Sequence, residues 1–324
     1  MCYNPTLGSC MYEAGTTIVF VRESLVPARP FLKWAGGKSQ LLPELSRRIP
    51  ARFGRYYEPF VGGGALFFYL WNNGLLRQGA SLSDLNAELI DCYIAVRDEV
   101  DELIELLYRL RPYATDRDFF YEIRSWDRRP DFGHRPRVER AARTIFLNRT
   151  CYNGLYRLNN KGQFNAPFGY YKNPLIVDSE NLREVSRALH NVELRVADFA
   201  TVLDTAQPGD FIYFDPPYVP VSSTASFTSY TRRGFDETEQ RRLAQVFHQL
   251  AARNCLVMLS NSSTALARQL YANACQVDVV LASRKINCNG SRRGMVEELI
   301  ACSFSTASQS QYADDTRVAL LAGD

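Results

Sequence analysis

Apolar residues recur along this chain with two different periods, and their alternation predicts the fold. Residues 55–60 are strand-like, Val61-Gly62-Gly63-Gly64 forms a turn, and an apolar run over 65–71 closes near Gly74, giving strand, turn and helix in succession. Residues 80–83 predict a second short strand with Asp84 at its carboxyl end. The helical stretch beyond it carries Leu103, Ile104, Leu107 and Leu110 on one face. Further strands are expected at 192–197, 211–214 and 255–259. Asp236, with Glu239 three residues on, caps an amphipathic helix bearing Leu243, Val246, Phe247 and Leu250. Residues 277–282 and 295–303 pair as a terminal hairpin around a loop at 287–293. Strands alternating with helices predict an α/β protein whose mostly parallel sheet is covered by helices. Residues before about 29 and after about 305 carry no clear period.

Composition narrows this only slightly. With 324 residues, 46% hydrophobic and 23% charged, the chain suits one large domain or a core with a smaller insert. No stretch reaches the ~20 uncharged apolar residues of a membrane span, and the N-terminal residues lack the basic-then-apolar order of a signal peptide. A cytoplasmic protein without a membrane partner is expected. The eight cysteines are scattered without a CxxC pair, and His134, His190 and His248 stand apart from them, which reads as reduced thiols rather than a zinc site.

Charge is more informative once it is divided along the chain. Between Arg109 and Lys172 fourteen Lys and Arg face six acids, so this segment carries +8 and the remainder −5 of a net +3. Tyr and Phe lie between the charges. Such a block predicts a polyanion-binding surface, with a merely solvated basic face as the competing reading.

Three motifs carry candidate chemistry. The turn at Glu58-Pro59-Phe60-Val61-Gly62-Gly63-Gly64-Ala65 leaves backbone N–H groups bare at the start of a helix, which suits a nucleotide or nucleoside cofactor. It is not the dinucleotide fingerprint, because Phe67 stands where a third glycine is required. Asp84, about 20 residues on, can accept hydrogen bonds from ribose hydroxyls or can serve as an exposed helix cap. Trp34-Ala35-Gly36-Gly37-Lys38-Ser39 resembles the end of a phosphate-binding loop, but Leu32 replaces the glycine that loop needs. This stretch can instead bring Lys38 to a carboxylate and Trp34 to a cationic ligand. Asp215-Pro216-Pro217-Tyr218, directly after the apolar strand at 211–214, is the most specific signal. The exocyclic amine of a nucleobase is a poor nucleophile because its lone pair is delocalised into the ring. A carboxylate at Asp215 and a carbonyl at Pro216 that both accept from this amine draw its nitrogen toward tetrahedral geometry. The two prolines stiffen the loop, and Tyr218 offers a flat face to a flipped base.

With residues 31–38, 58–65, 148–157, 164–169 and 215–218 in this order, the chain resembles the Dam family of DNA adenine N6-methyltransferases from about Pro30 to Phe304. The resemblance implies a Rossmann-like S-adenosylmethionine-dependent methyltransferase sheet over residues 30–108 and 176–304. It also implies a helical and hairpin target-recognition insert over 109–175, with an extension at 1–29 and a tail at 305–324 outside the match. S-adenosyl-L-methionine is the implied cofactor, and Trp34, Lys38, Phe60, Gly62, Gly64, Asp84, Asp198, Phe199 and Asp215 line its site, with Asp198 near the amino group of its adenine. Asp215, Pro216, Pro217 and Tyr218 are the implied catalytic residues. The partner is double-stranded DNA, the protein monomeric or weakly dimeric, cytoplasmic and associated with the nucleoid. Lys33, Tyr152, Asn153, Leu155, Arg157, Pro167 and Tyr171 would meet the DNA. Residues matching Leu155, Arg157 and Pro167 read GATC in Dam-type enzymes, Tyr152 matches an aromatic that intrudes beside the target, and Lys33 and Tyr171 match contacts to the first base pair. Ala166 and Tyr170 stand where members of the family often have Val and Arg.

Within the insert, Asn159-Asn160-Lys161-Gly162 is a polar turn flanked by 156–158 and 163–165, which predicts a short hairpin able to enter the major groove. Competing functions are cytosine N4 methylation, a protein-glutamine methyltransferase, and a catalytically silent DNA-binding regulator.

Overall fold

A seven-stranded sheet forms the centre of the molecule. The computed structural model describes residues 26–219, 235–283 and 295–306, together with a two-residue antiparallel pair at 13–14 and 17–18. In chain order the sheet strands are β1 (Tyr56–Glu58), β2 (Ala80–Asp84), β3 (Val192–Val196), β4 (Phe211–Phe214), β5 (Leu256–Ser262), β6 (Gln276–Ser283) and β7 (Met295–Cys302). They lie in the order β3-β2-β1-β4-β5-β7-β6. The first five are parallel and β7 runs antiparallel between β5 and β6. This is the α/β architecture expected, with the 211–214 strand at the same bounds and the terminal hairpin in place. The predicted 287–293 loop lies outside the described residues.

Parallel pairing puts the carboxyl ends of β1 to β5 along one edge, where loops that follow strands of an open α/β sheet meet. The two faces of the sheet pack separate cores. One gathers Tyr56, Phe67, Tyr93, Phe146, Phe168 and Met258 among others, and so continues into the insert. The other joins Tyr57, Ile212, Phe214, Leu243, Phe247 and Val257.

Seven helices concern the site: α1 (Ala65–Asn72), α2 (Ala87–Asp98), α3 (Val100–Leu110), α4 (Arg117–Arg124), α5 (Arg137–Thr150), α6 (Ser179–Leu189) and α7 (Glu237–Ala252). Asp236 accepts from the Glu239 N–H at 3.0 Å, the cap expected for α7. Leu103, Ile104 and Leu107 of α3 are buried as their spacing predicts.

The basic block divides in two. Arg143 on α5 is 1% exposed, 2.8 Å from Asp127 and 3.5 Å from Glu88, and its Nε donates to the Ile123 carbonyl. Arg124 and Arg128 donate to the Ala166 and Phe164 carbonyls, and Arg149 to that of Phe31. These cations brace the insert from within, whereas Arg157, Lys161 and Lys172 remain exposed. Cys92, Cys151, Cys255, Cys275 and Cys302 are free thiols, and all but Cys275 are buried.

Candidate active site and nucleic-acid interface

The first wall of the site is the β1–α1 turn. Gly62 and Gly64 have φ of +45° and +66°, a left-handed conformation that favours glycine. Space enforces the same choice, since a Cβ at Gly62 would lie 2.8 Å from Trp34 Cδ1 and one at Gly64 2.8 Å from the Tyr93 hydroxyl. At the end of β2, Asp84 accepts from the Gly62 N–H at 3.3 Å and from the Asn86 N–H at 2.9 Å. The cap of α2 is Asn86, not Asp84, so the helix-cap reading of Asp84 falls. Burial pushes the Asp84 carboxyl up to about 6.

Beyond β3, Asp198 accepts from the Ala200 N–H at 2.9 Å and pairs with Arg242 of α7 at 2.6 Å. The Arg242 guanidinium holds the Asp198 carboxyl below the usual carboxylate range. Phe60 stacks on Phe199 with ring centres 5.3 Å apart, but the two are not equivalent. Phe199 is 2% exposed and supports Phe60, which is half-buried and presents the accessible ring.

Asp215 opens the loop after β4, and its Oδ1 is fully engaged. Lys38 Nζ lies 2.7 Å away and Ser260 Oγ donates at 3.0 Å, both to Oδ1. Ser260 Oγ also shares a 2.8 Å hydrogen bond with the Tyr213 hydroxyl. Among the described residues no donor reaches Oδ2. Burial pushes the Asp215 carboxyl above its ordinary range, against the opposing pull of Lys38 and Ser260. A second carboxyl, Glu58, lies beneath the site and accepts from the Tyr56 hydroxyl at 2.9 Å. Burial first, then the charge of Asp215, pushes Glu58 up to about 8, so the fold favours its protonated form.

Residues that the sequence reading missed hold the rest of this loop. Gln240 of α7 donates to the Pro217 carbonyl at 2.8 Å, and Asn261 Oδ1 accepts from the Val219 N–H at 3.1 Å. Ser262 donates to the Val219 carbonyl at 2.7 Å, and Glu298 of β7 accepts from the Tyr218 hydroxyl at 2.9 Å. All four are buried. With the Pro217 and Val219 carbonyls satisfied, the Pro216 carbonyl is an acceptor that no donor reaches among the described residues. A signal for them existed: Ser260-Asn261-Ser262 ends a strand one place from the strand of Asp215, where polar residues face the site edge.

Lys38 also lies 4.6 Å from the centre of the Tyr218 ring, so the carboxylate contact expected of it is present together with an aromatic one. Trp34 is half-buried and stacks on Tyr156 of the insert at 5.0 Å, above Gly62. Asn148, fully buried on α5, fastens these parts together. Its Oδ1 accepts from the Lys33 N–H at 2.8 Å, while its Nδ2 donates to the Lys33 carbonyl at 2.8 Å and the Gly154 carbonyl at 3.1 Å.

Of the residues expected to meet DNA, Lys33 is paired with Tyr171 and Tyr152 with Pro167. The hairpin is present, with Leu158 bridged to Phe164 and Gly162 at φ +77° in its turn. Tyr152 is 51% exposed, Asn153 lies at φ +57°, and the Tyr152 N–H donates to the Pro167 carbonyl at 2.8 Å. Pro167 is exposed and Leu155 half-buried. Lys33 Nζ lies 5.1 Å from the Tyr171 ring centre. Arg157 is exposed, and Asn165 holds it through Nε at 2.7 Å and Nη2 at 3.0 Å. Ala166 is buried, whereas Tyr170 is 73% exposed.

The family described as D12 class N6 adenine-specific DNA methyltransferase matches residues 34–285. The Type II methyltransferase M1.LlaDCHI of Lactococcus lactis subsp. cremoris is 42% identical over 286 residues, covering 88% of this chain and 98% of its own. The Type II methyltransferase M.MjaIII of Methanocaldococcus jannaschii is 43% identical, covering 84% and 98%. The DNA adenine methylase of Escherichia coli K12 is 36% identical over 274 residues, covering 84% and 94%.

Proposed function

The chain belongs to the D12 class of N6 adenine-specific DNA methyltransferases, and we propose that it methylates the adenine of GATC, drawn out of the duplex onto the loop that Asp215 opens. Membership of this class sets aside cytosine N4 methylation and glutamine methylation, and the intact Asp215, Pro216 and Tyr218 speak against a silent regulator. No helix among the described residues is long and apolar enough to cross a membrane. In this reading residues 30–108 and 176–304 carry catalysis and 109–175 recognise DNA.

S-adenosylmethionine is the methyl donor of this class. The residues present fit it. Asp84 and Asp198 follow adjacent strands with carboxylates able to accept from ribose hydroxyls and from an adenine amino group. Phe60 offers a ring face, and the backbone at Gly62 to Gly64 is bare. When bound, this cofactor supplies a methyl group on a positively charged sulfur.

Asp215 Oδ2 accepts one hydrogen of the target amine and the Pro216 carbonyl accepts the other, so the nitrogen lone pair leaves the ring system. Lys38 and Ser260 hold Oδ1 and so fix where Oδ2 stands. Oδ2 is also the atom placed to take the proton that the amine gives up, and burial raises the affinity of this carboxyl for it. Tyr218, tied by Glu298, stacks on the base.

One observation carries the sequence assignment. Asn165 holds the exposed Arg157 on its inner side, which leaves the outer Nη1 and Nη2 edge to donate to guanine O6 and N7, with Leu155 and Pro167 beside it for a thymine methyl. Initial rates on duplexes with GATC and with each single substitution test this. Arg157→Ala is expected to lose ~1–3 kcal/mol of discrimination at the guanine it reads. A uniform loss across all sequences would make Arg157 a phosphate contact instead.

A further inference from the structure

Arg242 lies outside every motif that the family resemblance singles out, yet no other cation approaches Asp198 as closely among the described residues. It donates through Nη1 to Oδ1 at 2.8 Å and through Nη2 to Oδ2 at 2.6 Å, a two-point fork on one carboxylate. The same guanidinium lies 4.0 Å from the centre of the Phe199 ring and 2.7 Å from Glu239 one turn back on α7. It is therefore fixed by a carboxylate in front, another at its side and an aromatic face beneath.

This fork determines what Asp198 can still do. A carboxylate oxygen has two acceptor positions. On Oδ1 both are taken, by Arg242 and by the Ala200 N–H. On Oδ2 one is taken by Arg242, which leaves a single position for an incoming donor. The fork also favours the ionised carboxylate, which accepts and does not donate. A ligand must therefore present a hydrogen-bond donor there, such as the N–H of an amino group, and a carbonyl oxygen in its place would face an acceptor.

We propose that Arg242 is a positioning residue for cofactor selection, which orients Asp198 and keeps it an acceptor so that the site takes a 6-amino purine and rejects a 6-oxo purine. The proposal rests on the reading of Asp198 as the partner of the cofactor's adenine. It also gives α7 two tasks, since Gln240 of the same helix holds the Pro217 carbonyl of the catalytic loop.

Calorimetric titration of the purified full chain with S-adenosylhomocysteine, and with its deaminated counterpart S-inosylhomocysteine, tests it without any turnover. The wild type is expected to prefer the amino compound. Arg242→Ala is expected to weaken S-adenosylhomocysteine about ten-fold and to shrink the preference, while Arg242→Lys restores part of both. A purely structural role for Arg242 would weaken both ligands equally and leave their ratio unchanged, and that result would overturn the proposal. So would wild-type binding by a folded Arg242→Ala. If Asp198→Ala itself leaves the preference intact, the reading of Asp198 has failed rather than the role of Arg242 alone.

Discussion

Asp215 has both acceptor positions of Oδ1 filled by Lys38 and Ser260, and its Oδ2 faces no donor among the described residues. An acceptor held in this way needs no rearrangement when the amine arrives, and the loss of one such preorganised contact commonly costs ~10² to 10³ in rate. Asp215→Ala is expected to reduce kcat at least that far with an unchanged circular dichroism spectrum. Near-normal turnover by the folded variant would remove Asp215 from the chemistry. Glu58 makes a contrasting case. Its carboxyl, pushed up to about 8 by burial, binds a proton that the unfolded chain releases at the ordinary glutamate value. The folded state thus holds the extra proton between the two, and its stability falls as pH rises through that window. Glu58→Gln copies the protonated form. Its melting temperature is expected to gain on the wild type from about pH 5 to about pH 8, and a constant difference would mean that Glu58 is ionised in the fold.

Elements differ in how much of them the sequence reveals. Strand β4 is a continuous apolar run, because a central parallel strand is covered on both faces, and its bounds follow from the residues alone. The cap of α7 and the insert hairpin are equally visible, since a side-chain acceptor and a glycine-ended turn leave local marks. Helix α5 does not show, and α2 is not separated from α3 within the one helical stretch expected after Asp84. Apolar positions of α2 surround it, because it packs against the sheet core, α5 and α6. Helix α5 buries Arg143, Thr144, Asn148 and Thr150, so its inner face is polar and escapes a search for apolar periodicity. Asn148 illustrates what this hides. It stands in the stretch 148–157, yet its work is to satisfy both backbone groups of Lys33 and the Gly154 carbonyl from a fully buried position. Asn148→Ala leaves these groups unpaired and is expected to cost roughly 2 kcal/mol or more by urea denaturation. A loss below about 0.5 kcal/mol would show that the segment around Lys33 re-pairs on its own.

At the scale of the molecule, one edge of the parallel part of the sheet collects Asp84, Asp198 and Asp215 from three different strands, and residues 109–175 pack against the segment at Lys33 and Trp34 beside it. Trp34 stacked on Tyr156 and Lys33 fastened to Asn148 make the insert continuous with that edge, as does the core shared between them. The strand order could not be read from the sequence, because each strand repeats the same apolar signal and nothing local records its neighbour. The net charge was misleading in the opposite sense. Several arginines of the basic block lie inside it as braces, so the surface offered to DNA is narrower than the count of charges suggests. In the proposed function this edge methylates adenine and the hairpin chooses GATC. Unmethylated genomic DNA treated with the purified protein and S-adenosylmethionine, then read for modified bases along its length, tests it most directly. N6-methyladenine concentrated in GATC is the predicted result, and N6-methyladenine lying mainly outside GATC would contradict it.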